Sequence, residues 1–132
     1  MKYKRLPDSE LEVMMALWTG KEDVPRSFLE EKLKNKGWAG NTINTYLSRL
    51  LEKGFLSCKR RGKTNYYTPL VGEEEYLEFE SKTMLSKLYG SSLKNFVVSL
   101  CRRDSLTPAE IDELQHLLED LKRRDGENGN TL

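Results

Sequence analysis

One histidine and two cysteines are all that this 132-residue chain offers to imidazole or thiolate chemistry. Cys58 and Cys101 lie far apart, and neither has a Cys or His partner at metal-ligand spacing. That excludes a zinc or thiolate cluster and a disulfide framework, and leaves free, mostly buried thiols as the expectation. His116 has Glu113 and Asp120 near it at helical spacing, a pattern that fits a solvated helix face better than a general acid–base pair. There is no glycine-rich phosphate loop and no nucleophile with a base nearby. An enzyme is therefore not expected, nor a metal or other cofactor. Long apolar runs are missing as well: nothing approaches the ~20 residues of a membrane span, and the opening MKYKRLPDSE lacks the apolar region of a signal peptide. A cytoplasmic protein without membrane insertion is expected.

What the chain does have is charge, unevenly spread. The formal net charge of +1 conceals 14 Lys+Arg against 8 Asp+Glu in residues 1–71 and 8 against 13 in residues 72–132, or +6 and −5. Such a reversal at Val71-Gly72 suggests a polyanion-binding module joined to a part with another task. The cations of the first half cluster at one place. After the segment NTINTYLSRLLEKG comes FLSCKRRGKTNYYTPL. In the former, Ile43, Leu47, Leu50 and Leu51 recur at helical spacing and turn one face to a core. Thr42, Thr45, Arg49 and Glu52 share the opposite face, with Asn41, Asn44 and Ser48 alongside. Short hydroxyls, amides and a single Arg suit a helix that lies close in a DNA major groove and hydrogen-bonds to base edges. Gly54 ends that helix as a left-handed cap would. Residues 55–60 and 64–70 read as two strands joined by the tight turn Arg61-Gly62-Lys63. Lys59, Arg60, Arg61 and Lys63 then sit at a ribbon tip, where they can clamp phosphates without reading sequence. A reading helix followed by a basic hairpin is the working end of a winged helix.

Upstream, Leu11, Met14, Met15 and Trp18 repeat at helical spacing between the plausible N-caps Asp8 and Ser9 and a stop at Gly20. Pro25 opens a second helix carrying Leu29 and Leu33, which Gly37 closes. Trp18 and Trp38 are expected to fill the core. Downstream everything reads as helix. Glu73, Glu74 and Glu75 open a helix with Tyr76, Leu77, Phe79, Met84, Leu85 and Leu88, ending at Gly90. Ser91 or Ser92 caps the next, with the stripe Leu93, Phe96, Val97, Leu100 and Cys101. Thr107-Pro108-Ala109-Glu110 is a capping box with Pro at the first helical position, ahead of Ile111, Leu114, Leu117, Leu118 and Leu121. Three short amphipathic helices hold little core of their own, so their stripes are expected to bury against a second copy of the chain, with Leu77, Leu88, Leu93, Phe96, Val97, Leu100, Leu114, Leu118 and Leu121 at the dimer interface. A bundle folded back on the first module is the alternative. The expected architecture is mostly α with a small β-hairpin: a winged helix-turn-helix DNA-binding domain over 1–71, a helical dimerisation domain over 72–124 and a disordered tail over 125–132.

The segments ELEVMMALW, KGWAGNTINTYLSRLLEKGFLSCKRRGKTNYYTPLV, SKTMLSKLYGSSLKNFVVSL and LTPAEIDELQHLLEDLK together resemble the BlaI/MecI family of penicillinase and methicillin-resistance repressors, over about residues 6–122. The resemblance implies a dimeric winged-helix repressor on a palindromic operator. It further implies inactivation when a membrane-bound β-lactam sensor with a cytoplasmic zinc protease domain triggers cleavage in the dimerisation region. Residues 41–53 match the family's reading helix, with Thr42, Thr45 and Arg49 where the family has its DNA-contacting Thr, Thr and Arg. Two departures stand out. Ala39-Gly40-Asn41 replaces Ser-Pro-Lys at the opening of that helix, removing a cap and a cation. The family's Asn-Phe cleavage bond falls, by ungapped counting from SLTPAEIDEL, at Ser99-Leu100, so the Asn95-Phe96 pair is out of register. The related copper-responsive repressors end in clustered cysteines, and this chain ends DGENGNTL, which excludes thiolate coordination of copper there. The expected function is a dimeric transcriptional repressor of β-lactam-resistance or cell-wall-stress genes, whose partners are operator DNA, a second copy and a possible membrane sensor protease. Two alternatives stay open: a winged-helix repressor released by a small ligand, and a winged helix used only for protein interaction.

Overall fold

A computed structural model describes residues 4–102 and 106–128. In chain order its elements are α1 (Asp8–Gly20), β1 (Val24–Pro25), α2 (Arg26–Lys32), a 3-10 turn (Lys34–Lys36), α3 (Gly40–Glu52), β2 (Leu56–Arg61), β3 (Thr64–Pro69), α4 (Glu73–Tyr89), α5 (Leu93–Cys101) and α6 (Pro108–Asn128). The chain divides into two compact units, Met1–Thr83 and Met84–Leu132. The charge reversal at Val71-Gly72 falls inside the first unit, and α4 begins in one unit and ends in the other.

The first unit owns the core. Val13, Met14 and Leu17 of α1, Leu29 of α2, and Ile43, Leu47 and Leu50 of α3 close on Phe55, Leu56, Tyr67, Val71 and Tyr76. Each such side chain contributes about 1.5–3 kcal/mol by leaving water. On α3 the inward set is Ile43, Leu47 and Leu50, while Leu51 stays at the surface. On α1 the inward ridge is Glu10, Val13, Met14 and Leu17, with Leu11 and Trp18 half-buried beside it. Met15, expected inside, is exposed, because Val13 and Leu17 flank Met14 on the packed side and turn residue 15 outward. Neither Asp8 nor Ser9 caps α1: Pro7 holds the N-cap position with extended backbone and no side-chain bond, and Asp8 and Glu10 sit in the first turn, where carboxylates meet the helix dipole favourably.

Val24 and Pro25 form a third strand that residue patterns did not reveal, pairing antiparallel with Tyr67 and Tyr66 of β3. The sheet order is β1-β3-β2. Pro25 therefore lies at an edge, where its missing N–H costs nothing, and it also serves as the N-cap of α2. Between β2 and β3, Arg61 pairs with Thr64, leaving Gly62 and Lys63 as a two-residue turn. Gly62 has φ +64° at the first turn position, the conformation that primed hairpin turns require. Gly54, at φ +79°, ends α3 as expected. Both thiols are free but exposed, against the expectation of burial. β2 is buried only at Leu56, since the ribbon runs out beyond the core, and Tyr67 opposite Cys58 takes the inward place. Cys101 is the last residue of α5, on a helix with no buried residue.

α4 is fastened to this core by its first turns. Tyr76 is fully buried, and its ring lies against Phe55, Phe79 and Trp18 at centroid distances of 5.6, 5.8 and 6.1 Å. Its hydroxyl accepts the Leu6 N–H at 2.7 Å, Trp18 Nε1 donates to the Val71 carbonyl at 2.9 Å, and Arg5 pairs with Glu80 at 2.9 Å. Burial, reinforced by the Glu80 carboxylate, pushes the Tyr76 hydroxyl up to about 12. A group raised above its ordinary value of 10.0 contributes stability that is whole below pH 10 and is lost as pH rises toward 12. Denaturant titrations across that window should show roughly 2 kcal/mol of loss. Tyr76→Phe should remove that part of the pH slope, and an unchanged slope would mean that Tyr76 is not its source.

The second unit has three helical pieces and no buried side chain among its described residues. Ser92 caps α5, its hydroxyl accepting the Asn95 N–H at 3.2 Å. Thr107 and Glu110 close the full capping box of α6: Oγ1 accepts the Glu110 N–H at 3.1 Å and Oε1 accepts the Thr107 N–H at 2.9 Å. α6 runs to Asn128, four residues into the stretch read as a disordered tail, because backbone bonding continues without needing an apolar face; residues 129–132 lie outside the described set. Among the described helices none is long and apolar enough to cross a membrane.

Candidate nucleic-acid interface

The polar face of α3 stands free beside the hairpin. Asn41, Asn44, Thr45, Ser48 and Arg49 are exposed and Thr42 is half-buried, while the other side of the same helix carries the core residues Ile43, Leu47 and Leu50. Helical periodicity is the cause: positions 41, 45, 48 and 49 fall opposite 43, 47 and 50. Thr45 Oγ1 donates to the Asn41 carbonyl at 3.0 Å, which commits its proton and leaves the oxygen able to accept a further bond. No side chain caps the helix at Ala39. Arg26 of α2 steadies this end instead, donating from one terminal nitrogen to the Gly40 carbonyl at 2.9 Å and from the other to Asn44 Oδ1. With its oxygen engaged, Asn44 offers two N–H donors to an approaching base acceptor. Trp38, half-buried, packs edge-on against Tyr46 with centroids 5.1 Å apart, a packing role as expected for a tryptophan next to this helix.

The hairpin presents its cations in two sets. Strand alternation puts Lys59 and Arg61 on one face with Tyr66 and Thr68, and Arg60 on the other, while Lys63 occupies the turn. All four are exposed. They are not equally available. Arg61 bonds the Asp23 carboxylate at 2.9 Å and lies over the Tyr66 ring at 5.1 Å. Asp23, whose N–H is bound by Thr68 Oγ1 at 2.9 Å, thereby ties the hairpin to the loop before β1. The Arg61 hydrogen bond holds the Asp23 carboxyl below its ordinary value. Arg60 Nε donates to the Gly62 carbonyl at 3.1 Å and stiffens the turn.

Sequence patterns missed the groups behind this surface. Glu10 of α1 is 2% exposed, the one buried charged side chain among the described residues. It meets Lys53 at 2.5 Å and Arg49 at 4.0 Å. Its place on the ridge with Met14 and Leu17 is the signal that could have found it. Arg26 and Asp23 gave none, since neither lies near 41–63 in the chain. His116 is exposed on α6, with Nδ1 2.8 Å from the Asp112 carbonyl. Among the described residues no group of His, Cys, Asp and Glu is arranged to hold a metal.

A three-helix scaffold with an outward polar helix and an adjoining cationic β-ribbon defines a winged-helix nucleic-acid-binding protein. A family model described as penicillinase repressor matches residues 6–120, and the chain belongs to that family, one of transcriptional repressors and not of enzymes. It is 34% identical over 123 residues to the penicillinase repressor of Bacillus licheniformis, covering 93% of this chain and 96% of that one. It is 31% identical over 117 residues to the methicillin resistance regulatory protein MecI of Staphylococcus aureus strain N315, covering 89% and 95%. A solution structure of the DNA-binding domain of the repressor BlaI matches with a TM-score of 0.51 at 34% identity, covering 57% of this chain and 92% of that domain.

Proposed function

We propose that this chain represses transcription of β-lactam-resistance or cell-wall-stress genes by binding a pseudo-palindromic operator as a homodimer in the cytoplasm. The carrying observation is the exposed polar face of α3 beside the cationic hairpin, in a chain similar to penicillinase and methicillin-resistance regulators over most of its length. Asn41, Thr42, Asn44, Thr45, Ser48 and Arg49 read base edges, and Lys59, Arg60, Arg61 and Lys63 hold phosphates. These contacts lie within residues 1–71, and the second copy docks through the helices of 72–124. Exposure supports that division: eight of the twelve large apolar side chains that stand exposed among the described residues, including Leu88, Leu93, Leu100, Leu118 and Leu121, follow residue 83. Leu77 is exposed on α4, and Phe96, Val97 and Leu114 are half-buried. Apolar surface of this extent on a unit with no buried side chain among its described residues favours a partner of the same kind. Inactivation follows proteolysis at Ser99-Leu100, in the last turn of α5, by a membrane sensor protease.

Mutation separates the two kinds of DNA contact. A duplex enriched by the protein from a random-sequence pool serves as operator, and a scrambled duplex of equal length as control. Arg49→Ala should cost about 1–3 kcal/mol on the enriched duplex and much less on the control, since base readout is lost. Lys63→Ala should weaken both alike and lower the slope of log affinity against log salt by roughly one. Equal losses on both duplexes for Arg49→Ala would remove Arg49 from the reading surface.

A further inference from the structure

We infer that Glu10 is a positioning residue for sequence discrimination: from inside α1, out of reach of DNA, it holds the Arg49 guanidinium and the Lys53 ammonium in register with the reading face. This rests on the reading of α3 given above. A carboxylate that is 2% exposed is stable in a protein interior only when charge and hydrogen bonds compensate it. Here both compensating cations come from the end of α3: Lys53 at the C-cap, 2.5 Å from Oε1, and Arg49 in the last turn, 4.0 Å from Oε2. Lys53 makes the short contact and saturates one oxygen. The second oxygen faces Arg49 at ion-pair range without a hydrogen bond, so the guanidinium is drawn toward it yet keeps its donors free. Arg49 remains 56% exposed, enough to reach a base edge.

Two consequences follow for DNA binding. The carboxylate narrows the directions Arg49 takes before contact, which lowers the ordering cost at the correct base. It also offsets part of the positive charge that two cations would otherwise direct at any phosphate, which weakens binding to the wrong sequence. The first effect raises the ratio of specific to non-specific affinity; the second acts on both affinities and appears in the salt slope. A purely structural glutamate would affect both affinities together through the amount of folded protein.

The test uses the full-length chain with Glu10→Gln, which keeps the volume and leaves a carbonyl to accept from Lys53. Affinities for the enriched and scrambled duplexes are measured over a range of salt, with thermal melts alongside. The expected result is tighter binding to the scrambled duplex, a salt slope steeper by roughly one, and a specificity ratio lower by at least about fivefold, a partial loss of one good base contact. In an Arg49→Ala background the same change should leave the ratio where Arg49→Ala alone puts it. If Glu10→Gln unfolds, the double variant Glu10→Gln, Lys53→Gln leaves no buried charge unpaired, and its ratio should still fall because Arg49 has lost its anchor. An unchanged ratio, or parallel losses on both duplexes, overturns the inference while the reading role of Arg49 stands. Equal losses for Arg49→Ala alone remove the reading role, and the inference with it.

Discussion

A chain cut after Val71 should fail to fold cooperatively, whereas one cut after Thr83 should melt as a stable monomer. The shorter fragment contains every strand and the whole of α3, yet it loses Tyr76, whose fully buried ring fills the space between Trp18 and Phe55 and whose hydroxyl satisfies the Leu6 N–H. It loses Phe79 and the Arg5 partner Glu80 as well. Emptying the site of one large aromatic costs about 3–5 kcal/mol. The total stability of a small domain is about 5–15 kcal/mol, and a fragment of this size sits at the low end. Circular dichroism and thermal melts of the two fragments decide it; matching transitions would mean that the start of α4 is ornamental to the core.

Leu100→Asp should convert the proposed dimer to a folded monomer and reduce operator affinity by about 10²–10⁴-fold, the avidity that a linked second half-site typically supplies. Leu100 is exposed in the single chain, so the substitution removes no core contact and the melt of the first unit should not move. At an apolar interface the same carboxylate is costly unless paired. Sedimentation and titration against the enriched duplex read the two effects separately. A Leu100→Asp dimer of undiminished affinity would take α5 out of the interface and leave proteolysis at Ser99-Leu100 without a route to derepression.

What the sequence made legible was whatever repeats locally. The stripe of α3 at Ile43, Leu47 and Leu50, the left-handed stop at Gly54, the Gly62 turn, the Ser92 cap and the Thr107–Glu110 capping box each depend on residues within four positions of one another, and each stands in the structure as its pattern implied, Leu51 alone of the stripe facing outward. The resemblance to a repressor family was legible for the same reason, as runs of adjacent residues, and the family match over 6–120 bears it out. What stayed hidden needed partners far away in the chain. Glu10 reads as a polar helix position until Lys53 is brought 43 residues along to meet it. Asp23 and Arg61 are 38 residues apart, and the strand at Val24 exists only because Tyr67 lies beside it. Cys58 and Met15 are exposed despite their apolar character, which says that a residue can be buried, whereas the edge of the core decides whether it is.

The two-residue turn at Gly62-Lys63 also constrains how this hairpin can vary in length. Its ladder pairs residues one to one from Leu56–Pro69 to Arg61–Thr64 without a bulge. Inserting a single residue within β3 ahead of Tyr66, with no bulge to absorb it, would shift the later side chains to the opposite face, sending Tyr67 out of the core and Tyr66 into it. Insertions and deletions are therefore tolerated in matched pairs, one residue on each strand. A wing lengthened by one residue on each strand keeps Tyr67 inward and the cations of Lys59 and Arg61 on a common side.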